Sequence, residues 1–90
     1  MPMAKAGADE IATIAKTERS WLLAHPAAAC FESFQASAFA TYGDLLATAT
    51  AIAQDADAGD GNAIHQEVGT SHGDVSALRQ AGSKAVTACA

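Results

Sequence analysis

The chain has 90 residues, enough for one domain. Half of them are hydrophobic, but 24 of those are alanine and only 19 are large, so an isolated core is marginal and a staple or a partner would help. The net charge of −5, with no Lys or Arg between Ser20 and Leu78 where seven acids lie, argues against nucleic-acid binding, which needs clustered cations for phosphate contacts.

Alanine is the strongest helix former and β-branched runs are few, so the expected class is all-α. The first ten residues, "MPMAKAGADE", do not read as a signal peptide, because no apolar stretch follows Lys5. No segment is apolar enough to read as a membrane span. Helix 1 is expected over about residues 8–24, where Ile11, Ile14, Glu18 and Leu22 recur at helical spacing with Trp21 beside them. His25–Pro26 ends it, since the residue before proline avoids the α region.

Helix 2 is expected over about residues 26–54, with Pro26 at its first position, where a missing N–H costs nothing. Phe31, Phe34, Ala38, Tyr42, Leu45, Ala49 and Ile52 form its apolar stripe. "DADAGDGN" follows, with three aspartates and two glycines, and reads as a loop. Helix 3 is expected over about residues 63–89, with Ile64, Val68, Ser71, Val75, Leu78, Gly82, Ala85 and Cys89 on one face. Gly69 and Gly73 weaken it, and Ser71 with Asp74 resembles a capping pair, so a kink or restart near Ser71 is considered.

The two cysteines give the architecture its register. If helices 2 and 3 form an antiparallel hairpin, Cys30 and Cys89 are equidistant from a turn at Gly59–Asp60. The stripes agree almost to the residue, pairing Ile52 with Val68, Ala49 with Ser71, Leu45 with Val75 and Phe34 with Val86. A Cys30–Cys89 disulfide at the open end follows, and with it an oxidising, extracytoplasmic compartment. Free cysteines would instead indicate a cytoplasmic protein. Helix 1 should cover the hairpin through Ile11, Ile14, Trp21 and Leu22, completing a three-helix bundle.

Three functional readings follow. The first is a non-catalytic protein that binds a protein partner or a second copy of itself through its surface, with Trp21 and Leu23 as candidate contacts. No nucleophile–base–orienter set supports an enzyme. In the second, "DADAGDGNAIHQE" resembles the calcium loop of the EF-hand family. That resemblance implies a calcium site at Asp55, Asp57, Asp60 and Glu67, with one residue inserted. In the third, "IAKTERSWLLAHP" resembles a segment of secreted actinobacterial haem-binding proteins, in which a Tyr-x-x-x-His pair precedes proline. The resemblance implies a haem carrier. His25 stands at the histidine position and Trp21 at that of the tyrosine.

Overall fold

The computed structural model describes residues 1–90 and is a three-helix bundle without strands: α1 (Pro2–Ala24), α2 (Glu32–Ala58) and α3 (Gly61–Ala88). It measures 47 × 23 × 15 Å. No helix is long and apolar enough to cross a membrane. Both α1 and α3 pack along α2, and they hardly touch one another. The central helix therefore carries nearly all the tertiary contact.

The seams are built from small residues. The buried apolar positions are Ala8 and Ala15 on α1, and Ala38, Leu45, Ala49, Ile52 and Ala56 on α2. On α3 the buried residue is Ser71, opposite the α2 stripe as the hairpin register requires. Small side chains let helix axes approach toward the lower end of the usual separation of about 8–10 Å. Further along, the Phe34 ring lies over Gly82, where an added Cβ would meet the ring at 3.4 Å. Phe34 thus meets Gly82, four residues short of the Val86 partner expected for it.

Helix 1 corrects the sequence reading of its own core face. Ile14 and Trp21 were expected against the hairpin, yet they are 52% and 54% exposed. The seam instead follows Ala8, Ala15, Arg19 and Leu22, and the Arg19 guanidinium sits 4.1 Å above the Phe39 ring beside Gly43. Close packing on alanine wins because it brings two backbones together along their length. The larger residues, one step around the helix, are left at the edges.

The boundaries also shift. Helix 1 begins at Pro2 rather than near residue 8, with proline in the first turn, where no donor is lost. Helix 2 does not begin at Pro26. Residues 26–28 have no regular structure, Ala29–Phe31 form a short 3₁₀ turn, and the α-helix starts at Glu32. One side chain accounts for this. Gln35 accepts a hydrogen bond from Ala27 N–H at 2.7 Å and donates to the Leu22 and His25 carbonyls at 2.9 and 2.8 Å. The link's backbone groups are satisfied without becoming helical. Gln35→Ala should therefore lower stability by about 2 kcal/mol, read in urea unfolding, because Ala27 N–H and the His25 carbonyl lose their partner while the Leu22 carbonyl keeps only the His25 N–H. Gln35→Glu, whose carboxylate would face the Leu22 and His25 carbonyl oxygens with no proton to donate, should cost at least as much at neutral pH.

At the other end the predicted eight-residue loop shrinks to two residues. Helix 2 runs through Asp55 and Asp57 to Ala58, and Gly59 closes it with φ 71° in the left-handed region. Asp60 then caps α3, its side chain accepting from Ala63 N–H at 3.1 Å. Helix 3 starts at Gly61 and is continuous through Gly69 and Gly73, with no restart at Ser71. A Cβ added at either glycine would meet nothing within 4 Å, so both lie on its open side while the opposite side is held by α2.

Candidate functional site

Because α1 and α3 rest on α2 without closing on each other, an apolar groove runs between them. Its floor is Tyr42 and Leu45, its helix 1 wall is Ile11, Ile14 and Ala15, and its helix 3 wall is Ser71, His72 and Val75. The cavity is about 270 Å³. Val75, expected against Leu45 in the core, is 41% exposed on the groove wall, and Val68 lies one heptad before it on the same side. Ser71 Oγ is buried here without a hydrogen-bond partner. Burial raises the Tyr42 hydroxyl above its ordinary value, and the nearby Glu18 charge adds to that.

Trp21 continues the groove side of α1, one heptad beyond Ile14, and lies in a shallow cleft with Phe31 and Phe34. Its ring stacks on His25 with centroids 4.2 Å apart, and His25 Nδ1 lies 2.8 Å from the Trp21 carbonyl oxygen. Leu23, about 200° around the helix, lines a different cleft with Glu32, Ala36 and Phe39. Both residues are exposed, but they do not make one patch.

Of the four carboxylates singled out from the sequence, Glu67 lies near Asp55 and within reach of the Asp60 charge, while Asp57 turns to another partner. Asp55 and Asp57 point to roughly opposite sides of α2, Asp60 caps α3, and Glu67 lies on the second turn of α3. Asp57 is taken by Lys5, whose Nζ donates to Oδ1 at 2.9 Å and to Oδ2 at 3.1 Å. No three His, Cys, Asp or Glu side chains form a group that could hold a metal ion. The EF-hand resemblance places Asp55 and Asp57 in a loop, whereas here both lie in the last turn of α2.

Asp55 and Glu67 do face each other across the hairpin. Glu67 is pushed up to about 7 from its ordinary 4.5, first by a hydrogen bond with Asp55, then by burial, then by the charges of Asp55 and Asp60. Its Oε2 is buried without a partner. Between 4.5 and about 7 the folded state binds the proton more tightly than the unfolded chain does. Stability is thus full below that window and falls as pH rises through it. Melting temperature should drop between about pH 5 and pH 8. Glu67→Gln should flatten that slope and raise the melting temperature at the alkaline end.

The structure brings the Cys30 and Cys89 sulfurs to bonding distance, with Cα atoms 5.8 Å apart and 59 residues between them in sequence. Cys30 lies in the 3₁₀ turn and Cys89 caps α3, so the pair spans the open end of the hairpin.

Comparison with protein-family models, with curated proteins and with solved structures found no match. The groove was missed in the sequence because the stripes assign Ile14 and Val75 to the core. The one available signal was the run of alanines at Ala8 and Ala15, which offers a second, closer-packing seam.

Proposed function

We propose that this chain is a non-catalytic binding module that works in an oxidising compartment. Its Cys30–Cys89 disulfide locks the hairpin, and the groove between α1 and α3 receives an apolar partner surface. The observation that carries this reading is the groove itself. Three helices converge on it, yet Ile14 and Val75 stay about half exposed on its two walls. An apolar cleft with few polar groups is the usual form of a recognition site. The compartment follows from the cysteine pair, since disulfides persist where thiols are not kept reduced.

Anilinonaphthalene sulfonate, a dye that brightens on apolar surface, tests the groove on the folded, oxidised protein. Its fluorescence should rise on addition of the protein. Ile14→Asp or Val75→Asp should abolish the rise while helical circular dichroism is unchanged, and Leu23→Asp should leave it intact. No enhancement with the native chain, or enhancement that survives both groove variants, overturns the reading. The split between Trp21 and Leu23 favours Trp21 as the aromatic end of the same surface.

A further inference from the structure

We infer that the Cys30–Cys89 bond is a reversible redox switch: it holds the last two turns of α3, residues 82–88, against Phe34, and reduction by an external dithiol frees them. The pair lies outside the groove between α1 and α3. In an oxidising compartment the closed form is the resting one.

The first observation is access. Cys30 is exposed in its 3₁₀ turn, and Cys89, at the cap of α3, is only half-buried. A disulfide enclosed by packing is out of reach of thiols, whereas an exposed one is open to exchange and belongs with the labile, regulatory kind. A thiolate of the dithiol attacks the exposed Cys30 Sγ, the S–S bond breaks, and Cys89 leaves as a thiolate that takes a proton from water. The dithiol's second thiolate then displaces Cys30 Sγ, which takes a proton in turn. The two cysteines gain two electrons and two protons, and the dithiol becomes a disulfide.

The second observation is what the bond holds. Ser71 is the one buried residue of α3, and Gly82 lies under the Phe34 ring. Beyond Gly82 every residue to Ala88 is exposed except Ala85, which is half-buried. The one side-chain hydrogen bond of this stretch, from Thr87 Oγ1 to the Ser83 carbonyl, is internal to it. Helix α1 gives no cover, because it hardly touches α3. Packing therefore offsets little of the freedom lost in ordering these turns. Helix ends with so few contacts fray first, and here the bond at Cys89 prevents it.

The rest of the hairpin does not need the bond to keep its register. Leu45, Ala49, Ile52 and Ser71 remain buried against one another's helices, so the two thiols stay close enough to be rejoined by an oxidising disulfide. Release of the end removes the Gly82 cover from Phe34, which already lines the cleft holding Trp21 and Phe31. Reduction thus widens a shallow cleft into a larger aromatic surface at one end of the bundle.

Amide hydrogen exchange on the full chain, oxidised and in dithiothreitol, tests this. In dithiothreitol the amides of residues 84–88 should exchange within about 10-fold of the unfolded-chain rate, while those of residues 48–52 stay at least about 100-fold slower than that rate. In the oxidised chain the same terminal amides should be at least about 10-fold slower than after reduction, and oxidised glutathione should restore that protection. Cys89→Ser should show the freed end with or without dithiothreitol. Reduction should need no denaturant, at a rate within about 10-fold of that in concentrated urea. Equal protection of the two segments in the reduced chain, or terminal amides still protected in Cys89→Ser, overturns the inference. So does a bond that yields only in urea, or a reduced chain that loses its helical circular dichroism throughout.

Discussion

Reducing the link between Cys30 and Cys89 should lower the melting temperature by on the order of 20 °C. The bond closes a loop of 59 residues. In the chain-entropy account, closing a loop of that length removes about 4 kcal/mol of freedom from the unfolded chain. A domain of this size shifts by about 4–8 °C for each kcal/mol. Total stabilities run from about 5 to 15 kcal/mol, so the bond would contribute a large share of what holds this chain. The effect should be this large because the rest of the fold is thin. Only eight residues are buried, and none of the large side chains is fully enclosed. Calorimetry with and without reductant measures it. Cys30→Ser and Cys89→Ser should each reproduce the loss, and adding reductant to either variant should change nothing further. A shift under about 3 °C would mean that helix packing alone sets the stability.

Ile52→Ala should cost about 3–4 kcal/mol, nearly as much as losing the bond. Ile52 is only 3% exposed, and with Leu45 it is one of two large side chains in the buried set. The other apolar members of that set are alanines, which have no χ angles with which to move into a vacated space. Cavity cost depends on how far a site can collapse, and this one has little to collapse with. The control is Val86→Ala, at an exposed position on α3, which should fall within about 0.5 kcal/mol of the parent. Ile52 and the cysteine pair lie near opposite ends of α2, separated by roughly 30 Å at 1.5 Å per residue. Their effects should therefore add within about 0.5 kcal/mol. Marked non-additivity would show that the open end and the turn end of the hairpin are coupled through α2.

What the sequence disclosed and what it hid divide along a physical line. Helix content was legible because alanine propensity and absent β-branched runs act locally. The hairpin register was legible because Cys30, Cys89 and the α2 and α3 stripes constrain it twice. Four of the seven α2 stripe positions, Ala38, Leu45, Ala49 and Ile52, are buried as that register demands. The length of the turn was misread. Asp55 and Asp57 read as loop formers, yet aspartate near a helix end is tolerated when a left-handed glycine, Gly59, closes the helix after it.

The site was hidden for a different reason. Hydrophobic periodicity finds the largest apolar residues and assigns them to the interior. In an alanine-rich chain two seams compete, and closeness of approach can outweigh side-chain size. Ala8 and Ala15 won on α1, Ser71 won on α3, and Ile14 and Val75 were displaced to the groove. Gln35 was hidden because its role depends on three backbone groups in a link that no periodicity describes.

The account depends most on the hairpin being shut at its open end in the compartment where the protein works. Thiol titration under denaturing conditions, with intact mass, on protein taken from that compartment tests this directly. The account predicts no titratable thiol and a mass two hydrogens below that of the reduced chain. Two titratable thiols would contradict it, leaving the bundle without its lock and the oxidising compartment without support.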